Sequence, residues 1–95
     1  MSSGLKGKAA IITGAATLMG AEVAKAFAAA GTSVVLADIN ESDGAETASS
    51  IGKAARFLKT DVTDDKEIDD CLAFCEKTFG RVDYLVNLAC TYLDN

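Results

Sequence analysis

The chain has 95 residues, 49% of them hydrophobic, and a formal net charge of −5 from nine basic and fourteen acidic side chains. That length makes one small domain or part of a larger one, and the apolar fraction suits a buried core rather than disorder. The Lys and Arg residues are scattered from Lys6 to Arg81, which excludes the clustered basic surface that a nucleic-acid partner needs.

No segment approaches the roughly 20 apolar residues of a membrane span. The opening "MSSGLKGK" lacks the apolar stretch of a secretory signal, so a cytoplasmic protein without a membrane partner is expected.

The first element is "AAIIT", Ala9–Thr13, a continuous apolar run closed by Gly14. Such a run reads as a strand buried on both faces, as in parallel sheets. From Leu18 to Ala30 the period becomes helical: Val23, Phe27 and Ala30 share one face, while Glu22 and Lys25 face away. Gly31 supplies the stop. "SVVLAD", Ser33–Asp38, is a second buried strand.

A weaker helix follows over Asn40–Gly52, with Asn40 as its cap and Asp43 at the third position; Gly44, Ser49 and Ser50 lower its propensity. The third strand lies within Ala55–Val62. Thr63 is then expected to cap a third helix, whose first turn holds Asp64 and Asp65 and whose apolar face carries Ile68, Cys71, Leu72, Cys75 and Phe79. Gly80 ends it, and "RVDYLVNLA", Arg81–Ala89, is the fourth strand. Phe27 and Phe79 are expected to be mostly buried against the sheet.

Strands alternating with helices predict an α/β fold, a Rossmann-type doubly wound parallel sheet of strand order 3-2-1-4. The fourth strand is apolar and reads as central, yet few residues follow it. The chain therefore reads as a single incomplete domain over 1–95, because an unpaired apolar edge is an aggregation hazard. Cys71, Cys75 and Cys90 form no disulfide framework. With no histidine in the chain, no metal site is expected, and Cys71 and Cys75 read as buried thiols.

In an open α/β sheet, ligands bind beyond the C-terminal ends of the strands. The residues there are Gly14–Gly20, Asp38–Ile39, Asp61–Val62 and Asn87–Cys90. The turn "TGAATLMG", Thr13–Gly20, leads into a helix whose N-terminus suits an anion. Gly14 also serves a plain strand-to-helix turn, Thr17 a plain helix cap, and Asp38 a plain turn aspartate. At the end of the second strand, however, the Asp38 carboxylate is placed to accept hydrogen bonds from both hydroxyls of an adenosine ribose.

These stretches together resemble the short-chain dehydrogenase/reductase family, from Leu5 to about Asp94. Thr13, Gly14 and Gly20 match its T-G-x-x-x-G-x-G turn, although the middle glycine is Leu18. Asp38 matches the acidic residue of NAD-preferring members. Asp61–Val62 matches the pair that holds the adenine ring, and "NLAC" resembles N-N-A-G, with Asn87 and Ala89 matching and Leu88 and Cys90 departing.

The resemblance implies NAD, preferred over NADP, as cofactor. The implied binding residues are Gly14, Thr17, Leu18, Met19, Gly20, Asp38, Ile39, Asp61, Val62, Asn87, Leu88 and Ala89. It implies hydride transfer with a small-molecule alcohol or ketone, and a homo-oligomeric parent enzyme. The family's catalytic Tyr-x-x-x-Lys pair is missing: Leu88 stands four residues after Tyr84, and Tyr92 lies too near the end. No catalytic residue is therefore expected in these residues. Two other readings stay open: a stand-alone nucleotide-binding or regulatory module completed by another chain, and a methyltransferase fragment in which Asp38 holds the ribose of S-adenosylmethionine.

Overall fold

The four strands form one parallel sheet in the expected order 3-2-1-4 in the computed structural model, which describes residues 4–88. β1 (Ala9–Thr13) is buried along its whole length. It lies between β2 (Ser33–Asp38) and β4 (Tyr84–Asn87), and β3 (Ala55–Lys59) pairs with the far side of β2. The β1–β2 register runs from Ala9 opposite Ser33 to Thr13 opposite Ala37. Two-sided burial explains the unbroken apolar runs of β1 and β2, because neither face of these strands meets water.

Helix α1 (Leu18–Ala29) and helix α2 (Glu41–Ile51) cover one face. There Ala10, Ile12, Val34 and Leu36 form a core that Val23, Phe27, Ala48, Ile51 and Phe57 complete. Helix α3 (Asp65–Phe79) covers the other, where Ile11, Val35 and Ala37 meet Cys71 and Cys75. The alternation along each strand thus feeds two cores. Phe27 and Phe79 are mostly buried, as expected, though neither is fully enclosed: each packs at the margin of one of these cores. Phe27 also meets the ring of Tyr84, with centroids 6.1 Å apart.

Gly44 lowers helix propensity but has a packing reason to be there. A Cβ at that position would overlap the ring of Phe57 on β3, so the missing side chain lets α2 settle on the sheet. Asn40 caps α2 as expected, accepting from the Asp43 N–H at 3.1 Å and donating its own amide to the Asp43 carboxylate at 3.0 Å. The cap of α3 differs from expectation. It is Asp64, whose side chain accepts from the Lys66 N–H at 2.9 Å. Thr63 instead donates both its hydroxyl and its N–H to Asp61, which takes it out of the capping position.

β4 is also shorter than the apolar run suggests. Before it, the Asp83 carboxylate takes the Ala9 N–H at 2.8 Å, and the ladder begins only at Ala10 opposite Tyr84. Arg81 clamps Asp83 through two hydrogen bonds of 2.7 and 2.9 Å. Among the described residues β4 pairs with β1 alone, and Val82 just before it and Tyr84 and Leu85 within it are exposed.

Candidate functional site

The C-terminal ends of β1, β2, β3 and β4 deliver Gly14, Asp38, the Asp61 loop and Asn87 to one end of the sheet. The β1–α1 turn is built on two glycines with different tasks. Gly14 adopts φ 71°, a left-handed conformation that L side chains resist. Gly20, in the first turn of α1, is pressed onto that turn: a Cβ would overlap the Gly14 carbonyl oxygen and lie 2.7 Å from the Ala15 Cα.

Thr17 is the N-cap. Its hydroxyl donates to the Gly14 carbonyl at 2.8 Å and accepts from the Gly20 N–H at 3.0 Å, fixing helix to turn. The Ala21 N–H bonds the Thr17 carbonyl, so the N–H groups of Leu18 and Met19 are the two of the first turn with no partner among the described residues. Open N–H groups at the positive end of a helix dipole stabilise an anion.

Asp38 is tied to the same turn. One carboxylate oxygen accepts from the Ala16 N–H at 3.0 Å, and the other accepts from the Asn40 N–H at 2.8 Å. A carboxylate has about four lone-pair directions, so one stays available on each oxygen. Two backbone donors fix the group, and the remaining pair suits a vicinal diol. The residues therefore fit a ribose at Asp38, with the open N–H groups of α1 on the side where an attached phosphate would lie.

The register adds a residue that the linear sequence does not place here. Lys59 is the β3 partner of Asp38, and strand alternation puts both on the α1/α2 face. Lys59 is exposed and forms no ion pair among the described residues.

In the third loop, Asp61 accepts from the Thr63 hydroxyl at 2.6 Å and from its N–H at 3.0 Å. These bonds, the hydroxyl first, hold its carboxyl below the usual carboxylate range. The Asp61 N–H is taken by Glu67 at 2.8 Å, whereas the Val62 N–H has no partner among the described residues.

At β4, the Thr13 hydroxyl donates to the Asn87 side-chain oxygen at 2.6 Å. The Leu88 N–H returns to Thr13, 3.1 Å from the hydroxyl and 3.2 Å from the carbonyl. Thr13 thus latches the end of β4 to the end of β1, a role that its place in the turn motif did not reveal. The available signal was a polar residue closing each of two neighbouring strands. Ala89 lies outside the described residues.

Three apolar side chains stand exposed among these polar groups: Leu18, at 89% exposure, with Met19 and Ile39. No group of three or more His, Cys, Asp or Glu side chains able to hold a metal occurs among the described residues. No helix among them is long and apolar enough to cross a membrane.

A family model for short chain dehydrogenase matches residues 8–94. The chain is 43% identical over 88 residues to galactitol 2-dehydrogenase of Agrobacterium fabrum, covering 93% of this chain and 34% of that protein. The fold superposes with TM-score 0.82 on the crystal structure of a hydroxysteroid dehydrogenase from Escherichia coli, at 40% identity over 87% of this chain and 37% of the other. An equal TM-score of 0.82 relates it to a 3-ketoacyl-(acyl-carrier-protein) reductase from Brucella melitensis complexed with NADH, at 36% identity over 85% and 33% of the two chains. The chain spans about a third of the length of the curated relatives it matches.

Proposed function

The chain belongs to the short-chain dehydrogenase family, and from that premise we propose that residues 1–95 are a single, incomplete dinucleotide-binding domain. It is the NAD(H)-binding part of an oxidoreductase acting on a small-molecule alcohol or ketone. The observation that carries this reading is Asp38, held by two backbone N–H groups at the β2 end with a lone pair left on each oxygen.

When bound, the nicotinamide gives or takes the hydride. The residues here hold the rest of the cofactor. Asp38 accepts from the ribose hydroxyls, with Ile39 beside it. The Leu18 and Met19 N–H groups lie on the pyrophosphate side of the site, at a helix start set by Gly14, Thr17 and Gly20. Asp61 and Val62 receive the adenine ring. Asn87, Leu88 and Ala89 line the path toward the reacting end, with Thr13 keeping the first two in place. No Tyr-x-x-x-Lys pair occurs in these residues, so acid–base chemistry is not their task and the 95 residues alone reduce no ketone. The working enzyme is a cytoplasmic homo-oligomer in this proposal.

Cofactor choice follows from charge. NADP carries a phosphate where NAD carries a ribose hydroxyl, and at roughly 4 Å with an effective dielectric near 20 two unit charges repel by about 4 kcal/mol. Even a quarter of that gives about fivefold discrimination. Lys59 offers a counter-charge, but an exposed, mobile ammonium gains about 0–1 kcal/mol from such a pairing, whereas Asp38 is fixed in place. NAD(H) is therefore preferred.

The test is the dissociation constant of NADH and of NADPH for wild type and Asp38→Ala. The wild type is expected to favour NADH about fivefold or more, and the variant to narrow or abolish the gap. Unchanged discrimination in the variant removes Asp38 from the ribose site.

A further inference from the structure

Three glycines define the motif to which the β1–α1 turn belongs, and this chain keeps two of them. The fold demands both: Gly14 for its φ of 71°, Gly20 because a Cβ has no room. Position 18 carries no such demand. Among the described residues no non-glycine residue has a positive φ, and Leu18 is the first residue of α1. Its side chain is 89% exposed, so it packs on almost nothing. A glycine here would serve neither backbone nor core, which leaves approach by a ligand as its use.

The direction of the side chain matters. In a helix the Cα–Cβ bond tilts toward the N-terminus, and the side chain covers the surface ahead of its own Cα. At the first helical position that surface is the mouth of the helix, where the Leu18 and Met19 N–H groups are open. A phosphate oxygen in hydrogen-bond contact with those groups shares this space with an isobutyl group, which also strips water from the anion without replacing its hydrogen bonds.

We infer that Leu18 is a selectivity residue of the proposed site. It holds a diphosphate away from the α1 N-terminus while leaving the ribose contact at Asp38 intact. This rests on the nucleotide reading above. The chain consequently takes adenosine-type ligands with little of the phosphate contribution that the open N–H groups would otherwise provide.

Titration calorimetry of NAD and of adenosine against the full chain, as wild type, Leu18→Ala and Leu18→Gly, tests it. Leu18→Ala keeps a helix-compatible backbone, and far-UV circular dichroism checks that each variant is folded. The expected result is NAD binding tightened tenfold or more by both substitutions, with adenosine binding changed by less than about twofold, the range of ordinary surface substitutions. NAD affinity that stays constant or falls while adenosine still binds overturns the role of Leu18 and leaves the nucleotide reading standing. Failure of both ligands to bind any of the three proteins overturns the nucleotide reading, and this inference with it.

Discussion

The two ends of the sheet are built from the same parallel strands and differ in what happens to their donors. At the N-terminal end several are taken up by neighbouring elements. Asp83 takes the Ala9 N–H, Arg81 closes on Asp83, the Thr32 hydroxyl donates to the Leu5 carbonyl at 2.7 Å, and the Gly7 N–H bonds the Gly31 carbonyl at 3.0 Å. At the C-terminal end the N–H groups of Leu18, Met19 and Val62 stay open. The cause is topological. In a βα unit each strand's C-terminus runs into a helix N-terminus, whose first N–H groups have no intrahelical partner. The strand N-termini receive helix C-termini, which end in glycine turns at Gly31, Gly52 and Gly80. One end is therefore largely sealed by the fold, and the other keeps open donors at its helix starts.

Substitutions that act on one end and spare the other sharpen this contrast. The largest effect is expected from Gly20→Ala at the open end. The new Cβ meets backbone atoms of Gly14 and Ala15, which cannot swing away like a side chain. The cost is about 3 kcal/mol or more, read as a lower urea midpoint or as failure to fold. A variant as stable as wild type would mean that α1 does not lie on the turn.

Thr13→Val comes next. It removes the hydroxyl that ties Asn87 and Leu88 to β1 and keeps the shape. About 1 kcal/mol of stability should go. Hydrogen exchange at the Leu88 amide should accelerate, while the Ala9 amide at the sealed end is unaffected. Equal acceleration at both would show that the two ends open as one unit.

The smallest effect concerns acid. Arg81 first, and then the Ala9 N–H, hold the Asp83 carboxyl below the usual carboxylate range. A carboxyl depressed in the folded state contributes stability that is fully present above its unfolded pKa, about 3.9. That contribution is lost as pH falls through the lower folded value. Asp83→Asn should flatten the acid limb of the stability curve below about pH 4, without altering nucleotide affinity at neutral pH. An acid limb identical to wild type would remove Asp83 from the seal.

The layout of the molecule was legible because apolar period alone separates β1, α1 and β2, and helix–strand alternation leaves few sheet orders. Chain ends of elements were less so. Thr63 and Asp64 are both good caps by composition, and only the pull of Asp61 on Thr63 decides between them. "RVDYLVN" is apolar enough for a longer β4, but Asp83 substitutes a carboxylate for a ladder carbonyl. The C-terminal end of the sheet was legible where a motif is local, as in the turn at Gly14–Gly20. It was not legible where residues meet across strands. Lys59 stands beside Asp38, and Thr13 beside Asn87, through a register that no linear spacing encodes.

The Cys71 and Cys75 thiols, sealed between α3 and the sheet, keep time on the molecule's openings. Burial raises both, and Cys75 is pushed up to about 11, chiefly by burial and then by the neighbouring Cys71 and Asp83. Near neutral pH almost none of either exists as the reactive thiolate. An alkylating reagent must wait until α3 lifts from the sheet. The rate at which these two sulfurs are modified is thus a clock for that motion, set by how often the helix parts from the strands.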